Sequence, residues 1–355
     1  MLSPTIFFFH ELTKSKDFVY DTKHDTKPKK DAHHIVQPDF FVMNEIAVAD
    51  KIRDLNTSKC CPRFYIFDTV ERLKISENNS LNSNTNILKS ASTKLLLTFK
   101  KCELMYLDLH LKSLSCSKKY IKQLIEFYRS LLKTIHLLVE NNLIHNNINF
   151  NTIVINLAVD NPLLTNFSYT IDLLNKPSFK EDYWSQYFLF LKTDMFSPIE
   201  FYLLQYQLTN KSGDGCLSLF NIETILKQFI KDHLILNSFS TTLLLEDGLK
   251  FYAKYANKSF NKNLLEALKY AFTWDNYALS IVYLEILIGL HRTIAAKNDI
   301  NGNNKFIISF MKLLVNNISL DPSKRSLTSL TASLFEDMLL TNEIKDYQEL
   351  LKACD

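Results

Sequence analysis

Glycine is nearly missing from this 355-residue chain, which contains only five. They stand at positions 213, 215, 248, 289 and 302, so the first 212 residues contain none. A loop that wraps a phosphate group needs glycine where backbone N–H groups approach the ligand closely. The N-terminal half therefore excludes a Walker A loop and a Rossmann fingerprint. Gly213-Asp214-Gly215 lacks the third glycine that a dinucleotide-binding pattern requires.

Net charge is also small, with 41 lysines and arginines against 38 aspartates and glutamates, or +3 with histidine neutral. So small an excess predicts no nucleic-acid partner and no membrane partner. The one basic concentration, residues 23–30, contains Asp25 and is flanked by Asp21 and Asp31. Because these aspartates reduce the positive charge of the segment, a solvated loop is favoured over a nucleic-acid site.

Cysteine pairs and long apolar runs are missing as well. The six cysteines show no C-x-x-C spacing, which makes a zinc site an unfavoured interpretation. The longest apolar stretch, residues 277–290, is shorter than the roughly 20 residues that a membrane span needs. We therefore expect a cytoplasmic protein in which this stretch is a helix of the core.

The first 107 residues have the pattern of a small β-rich unit. Short runs bearing Phe, Val and Ile predict strands at 5–12, 17–23, 33–37, 63–75 and 95–107. Pro38-Asp39 is a helix start, and Phe41, Glu45 and Val48 follow at helical spacing. Residues 78–93 are rich in Asn and Ser, which predicts a mobile loop.

The chain after Asp108 has mostly helical periodicity. Residues 118–142 repeat Ile121, Leu124, Tyr128 and Leu131 at spacings of three and four, which predicts a strongly amphipathic helix. Further helices are predicted at 220–230, 243–255, 264–272, 275–290, 306–315 and 327–340. The expected fold class is α+β, with a small β-rich unit at 1–107 and a larger helical unit at 108–355.

Five segments with a fixed order carry the functional argument: LIHNNI at 143–148, LLTNFS at 163–168, SPIE at 197–200, WDNYAL at 274–279 and LDPSKR at 320–325. In this order they resemble the catalytic loop H-R-D-L, the D-F-G strand, the A-P-E, the central helix start and the D-P-x-x-R of the protein kinase family. The resemblance implies a bilobal fold, with an N-lobe at 1–107 and a C-lobe at 108–355. It also implies a helical insert at about 202–272.

The departures from that family fall on the residues that perform the chemistry. Phosphoryl transfer needs a base for the hydroxyl proton, ligands for two Mg²⁺ ions and a lysine near the phosphates. By the resemblance, the base position is Asn147, the catalytic-loop lysine is Asn149, the metal-binding Asn is Thr152 and the D-F-G aspartate is Asn166. Each of these side chains is neutral. We therefore expect a pseudokinase with no metal site and at most weak binding of ATP with Mg²⁺, acting on a protein partner as a scaffold or allosteric regulator.

The skeleton residues of the family are retained, by the same resemblance. Glu200 and Arg325 match the buried pair that ties the activation segment to the late helices. Asp275 matches the helix-start aspartate that anchors the catalytic-loop backbone. His145 and Phe167 match two members of the hydrophobic stack between the lobes.

Glu45 is the candidate for the glutamate of the N-lobe helix, and its cationic partner is left open. Lys23, Lys29 and Lys30 lie upstream, and His34 is a further candidate for that strand position. The other interpretation is that Glu45 is a solvated helix residue.

Three further alternatives remain open. An active divergent serine/threonine-type kinase would recruit Asp160, Asp172 or Asp194 in place of the missing carboxylates. The insert has an apolar face that docks either on the same chain or on a partner, formed by Phe220, Ile222, Ile225, Leu226 and Phe229. Kinase-like proteins of large DNA viruses share such inserts by resemblance, and the Asn/Lys/Ile-rich composition is compatible with that source.

Overall fold

The computed structural model describes residues 31–56, 62–74, 93–115, 117–174, 181–210, 216–237, 240–297 and 305–341. The strands predicted at 5–12 and 17–23 lie outside these ranges. So does the predicted mobile loop 78–93, except for Thr93, which begins a strand. The described chain is a mixture of helices and small sheets, so the expected α+β class is confirmed.

The N-terminal sheet has three antiparallel strands in the order β1-β4-β3. They are β1 (Asp31–Val36), β3 (Thr69–Lys74) and β4 (Thr93–Lys100). β4 takes the central place and buries Leu95 and Leu97, while His34 of β1 lies opposite Leu97 in the register. The expected small sheet in the first hundred residues is therefore present.

Helix α1 (Phe40–Leu55) follows β1 after three residues. It begins where Pro38-Asp39 predicted, because the Asp39 carboxylate accepts a hydrogen bond of 2.8 Å from the Val42 backbone N–H. Val48, Ala49 and Ile52 form its buried face. At the opposite end, the Arg53 guanidinium donates to the Phe67 carbonyl at 2.9 Å, which ties α1 to the chain just before β3.

A second sheet of four strands has the order β2-β8-β7-β5. Its strands are β2 (Phe64–Tyr65), β5 (Leu104–Tyr106), β7 (Ile153–Asn156) and β8 (Asn161–Thr165). β7 and β8 form a hairpin that pairs Asn156 with Asn161 near the turn and Ile153 with Leu164 at the open end. A two-stranded ladder joins β6 (Leu143–Ile144) to β9 (Ile171–Asp172). The open end of the hairpin and this ladder hold the segments around His145 and Asn166 next to each other.

The C-terminal part is built around two long helices, α3 (Lys118–Glu140) and α10 (Trp274–Lys297). Ser117 caps α3 by accepting the Tyr120 N–H. The other helices are α2 (Leu107–Ser113), α4 (Glu181–Phe190), α5 (Ile199–Thr209), α11 (Lys305–Asn316) and α12 (Thr328–Thr341). Among the described residues, one helical window, Ala271–Ile294, is long and apolar enough to cross a membrane, but 61% of it is buried. That burial is expected for a core helix.

The predicted insert consists of α6 (Leu219–Asp232), α7 (Leu234–Asn237), α8 (Thr241–Tyr252) and α9 (Phe260–Leu268). Its apolar face docks on the same chain, since Ile222, Leu226 and Phe229 are buried. Phe220 does not take part and is 76% exposed. The helix predicted at 264–272 begins earlier, at Phe260, and a 3₁₀ turn at Ala271–Thr273 follows it.

Several bends of this glycine-poor chain use asparagine in the left-handed region. Asn142, Asn146, Asn166 and Asn257 have φ between 56° and 60°. Asparagine tolerates this conformation better than most side chains because its amide bonds to nearby backbone.

Candidate functional site

The loop that follows β6 is held by a buried carboxylate at the start of α10. Asp275 accepts the backbone N–H groups of His145 and Asn146, both at 2.7 Å. Burial raises the pKa of Asp275 to about 6, and these two N–H groups act in the opposite direction. The Asp275 carboxylate therefore fixes the backbone of this loop, which is the contact that the resemblance implied for Asp275.

Three of the predicted site residues bind one another. The Asn149 amide donates to the Asn147 side-chain oxygen at 3.0 Å. The Thr152 hydroxyl donates to the Asn147 carbonyl at 2.5 Å and accepts the Asn149 N–H at 3.0 Å. Asn149 also accepts the Asn151 N–H at 2.8 Å. The loop is thus closed by neutral groups that satisfy each other, and none of these three side chains can take up a proton at neutral pH.

Asn166 and Phe167 follow β8 and point in opposite directions. Asn166 is exposed, and its side-chain oxygen accepts the Ser168 hydroxyl at 2.5 Å. Phe167 is fully buried, with its ring centroid 4.8 Å from that of His145 in an edge-to-face arrangement. The rings of His145 and Phe167 are therefore in contact, whereas the side chain of Asn166 binds Ser168, two residues later in the same turn.

His145 is a neutral structural side chain. Its Nε2 lies 3.0 Å from the Thr165 carbonyl oxygen, which can only accept, so Nε2 carries the proton. Burial lowers the pKa of His145 to about 4.

Glu45 of α1 reaches the same junction. Its Oε1 accepts the Phe167 backbone N–H at 3.2 Å, and burial raises its pKa to about 7. In the described part of the chain no lysine or arginine lies within salt-bridge distance of Glu45. The candidates Lys23, Lys29 and Lys30 fall outside the described residues, and the His34 ring stands edge-on to Phe99, with 5.2 Å between centroids.

The predicted pair of Glu200 and Arg325 lies side by side in the core. Arg325 donates from Nη1 and Nη2 to the two carboxylate oxygens at 2.8 and 3.0 Å, and both side chains are 0% exposed. The indole N–H of Trp274 donates to Glu200 at 3.3 Å. The Tyr277 ring faces the guanidinium, with its centroid 4.9 Å from the guanidinium carbon. The pair joins α5 to the turn before α12.

Of the three substitute aspartates, Asp194 is the one that lines a cleft together with Asn147. Asp160 is at the turn end of the β7–β8 hairpin, where it accepts from Gln123. Asp172 is paired with Lys51 of α1. Asp194 accepts the Phe196 N–H at 2.9 Å, and burial raises its pKa.

Asn147 and Asp194 line a common small cleft that is open to solvent. Asn149, Lys192 and Ser197 contribute polar groups to its wall, and Phe201 and Trp274 contribute apolar surface. Within the described ranges, His, Cys, Asp and Glu side chains form no group of three suited to a metal ion. The cleft presents hydrogen-bonding groups to solvent. Of its two carboxylates, Asp275 binds the loop backbone and Asp194 binds its own turn.

Helix α4 was not predicted from the sequence, although its Tyr187 binds the Asn146 side chain of the site loop. Its Trp184, Tyr187 and Phe188 are buried, as is Leu191 directly after the helix, and these residues follow one another at spacings of three and four. That spacing is visible in the sequence and is typical of a helix face.

Tyr187 and Asn44 were also missed. The Tyr187 hydroxyl donates to the Tyr169 carbonyl at 2.6 Å and accepts from the Asn146 amide. Asn44 of α1 donates to the carbonyls of Ser168 and Thr170, each at 2.8 Å. No sequence signal marks Asn44, because a single polar helix residue is ordinary.

Comparison with protein-family models gives no match to this chain, and comparison with curated proteins gives none either.

Proposed function

We propose that the chain is a catalytically inactive member of the protein kinase fold, a pseudokinase that acts as a binding scaffold or an allosteric regulator of a protein partner. The proposal includes a bilobal division into an N-lobe at 1–107 and a C-lobe at 108–355, with the insert at about 202–272. A cytoplasmic location and a viral source belong to it too, and they rest on composition and resemblance.

The closed network of Asn147, Asn149 and Thr152 is the observation that carries the proposal. A general base contributes about 10²- to 10⁴-fold to a proton transfer. An amide cannot supply this, and a hard cation prefers carboxylate ligands to the amides and hydroxyl present here. Two contacts that the resemblance implies support the proposal nevertheless: Asp275 accepts the His145 N–H, and Arg325 binds Glu200.

The layout of the N-terminal part supports the fold assignment. Helix α1 lies in the chain between β1 and β3, two strands of a small antiparallel sheet, and its Glu45 accepts the Phe167 N–H. The small open cleft beside the loop is lined by polar groups of Asn147, Lys192 and Asp194, and we propose that the partner contacts the site there.

A phosphotransfer assay tests the proposal. Purified protein is incubated with ATP and Mg²⁺ or Mn²⁺, alone and with a generic protein substrate, and thermal shift is measured with millimolar nucleotide. We expect no transfer and no metal-dependent rise in Tm, although a ligand at 100 times its Kd would stabilise by about 2.7 kcal/mol. Phosphorylation that is kept in Asn141→Ala and lost in Asn147→Ala or in Asp194→Asn would overturn the proposal. Asn141 is a suitable control because it is an exposed C-cap.

A divergent active serine/threonine-type kinase is the second candidate, and the position of Asp194 favours it. Asp194 shares the cleft with Asn147, and its raised pKa makes the carboxylate a better proton acceptor. Under this candidate, Asp194→Asn abolishes transfer and Asn147→Ala does not.

A further inference from the structure

The second half of the insert is rich in lysine. Residues 250–269 contain one acidic residue, Glu266, and five lysines, which stand at 250, 254, 258, 262 and 269. Without this stretch the chain would hold 36 basic and 37 acidic residues. Just before it, Asp247 is paired with Lys324, and Glu246 stands one helical turn from Lys250. The positive surplus therefore lies after Lys250, on the 3₁₀ turn Ala253–Tyr255, on α9 and next to them.

Two of these lysines meet at one carboxylate, although 15 positions separate them in the sequence. The Lys254 Nζ lies 2.7 Å from one oxygen of Glu266, and the Lys269 Nζ lies 2.5 Å from the other. The Lys254 Nζ also lies 3.7 Å from the centroid of the Phe251 ring and 5.5 Å from that of Tyr270. Because a single negative charge is shared by two ammonium groups, a net positive charge remains at this contact.

The outer face of α9 extends this charge. Lys262 precedes Glu266 by four residues, and Leu265 precedes Lys269 by four, so helical spacing places both beside the same contact. Lys262 is exposed, and in the part of the chain that the structure describes no acidic side chain lies within salt-bridge distance of it. Leu265 is 46% exposed. We call Lys254, Lys262, Leu265 and Lys269 the lysine surface.

We propose that the lysine surface binds an acidic segment of a partner protein. Its three ammonium groups exceed the one carboxylate of Glu266 and attract side-chain carboxylates, while Leu265 offers an apolar contact to the same segment. Nucleic acid fits this surface less well, because single strands bind by stacking on open aromatic rings, and Lys254 covers the Phe251 ring. No residue of the lysine surface lines the cleft beside Asn147, and the inference does not depend on the proposed function.

Fluorescence anisotropy with the full chain tests the proposal, and the probe is a short fluorescein-labelled peptide of glutamate and leucine. The variant Lys262→Gln with Lys269→Gln removes one lysine without an ion pair and one that has an acidic partner. The matched control on α3, Lys119→Gln with Lys122→Gln, removes the same charge. Lys122 lies 3.9 Å from Glu126, and Lys119 is exposed and has no ion pair among the described residues.

We expect the unchanged protein to bind the peptide and the Kd to rise about 2- to 30-fold in the variant of the lysine surface, as for the loss of two exposed ion pairs. The control should keep the original Kd, and added NaCl should weaken binding by the unchanged protein. Equal weakening in the control would refute the proposal, because net charge alone would then explain binding. No binding by the unchanged protein would refute it too, as would tighter binding of a single-stranded oligonucleotide or of phosphatidylserine vesicles than of the peptide.

Discussion

Replacing Glu200 by Gln leaves the guanidinium of Arg325 in the core without a counter-ion. The two side chains are 0% exposed and joined by bonds of 2.8 and 3.0 Å. Removing one partner of such a buried pair costs about 3–5 kcal/mol, since the remaining charge is desolvated and unpaired. The chain offers a matched control in Arg129 and Glu336, which also form a two-bond pair, at 2.5 and 2.9 Å.

The control pair differs in burial, with Arg129 35% and Glu336 46% exposed. An exposed ion pair contributes about 0–1 kcal/mol. Glu336→Gln should therefore lower the free energy of unfolding only slightly, while Glu200→Gln lowers it several-fold more. At a urea m-value of about 3 kcal/mol/M, the Glu200→Gln midpoint falls by about 1 to 1.7 M.

Urea unfolding followed by circular dichroism and tryptophan fluorescence measures both variants. The second probe reports locally, because Trp274 donates to Glu200. We expect Arg325→Met combined with Glu200→Gln to recover part of the loss, since the double change removes the stranded charge. Equal small losses for Glu200→Gln and Glu336→Gln would refute the reasoning that burial decides the contribution of the pair.

Three other predictions test separate features. Folding raises the pKa of Glu45 from 4.5 to about 7, so between these pH values the folded state binds more protons than the unfolded state. The stability that Glu45 contributes is therefore present at pH 4 and lost as the pH rises to 7. In urea titrations the free energy of unfolding should fall less over this range in Glu45→Gln than in the unchanged protein, and an identical fall would contradict the assignment. Gly289→Ala should raise Tm, with a gain of about 0.5–1 kcal/mol, since an added Cβ meets nothing within 4 Å. Gly248→Ala should gain less, because the added Cβ meets Leu226 at 3.0 Å and Leu320 at 3.3 Å, and an equal gain in both variants would be the contrary result. Ser117→Ala should cost about 1 kcal/mol in chemical denaturation through the lost cap of α3, and no change would show that this cap is dispensable.

Local rules predicted the elements that are determined locally. The three-and-four spacing of Ile121, Leu124 and Tyr128 gave α3, and Pro38-Asp39 gave the start of α1, because periodicity and capping depend on neighbouring residues. The burial of residues 277–290 followed from their length and apolar character.

Contacts between residues far apart in the sequence could not be predicted from local patterns. Glu200 and Arg325 are 125 positions apart, and only the resemblance to a family paired them. Asn44 meets the Ser168 carbonyl across 124 positions, and no family pattern pointed to it. α4 was missed although its spacing is helical, because a run of Tyr, Trp and Phe is also typical of strands.

The left-handed asparagines at the two bends of the site have a consequence for its rigidity. Glycine at Asn146 and Asn166 would permit nearly every torsion angle, so each bend would lose more freedom on folding and keep more latitude afterwards. Asparagine restricts the backbone torsion angles in the unfolded state and in the folded state. Its side-chain amide also binds Tyr187 at Asn146 and Ser168 at Asn166. We therefore expect the backbone of these two bends to keep its conformation when another molecule binds next to it, so that the molecule must fit the existing shape.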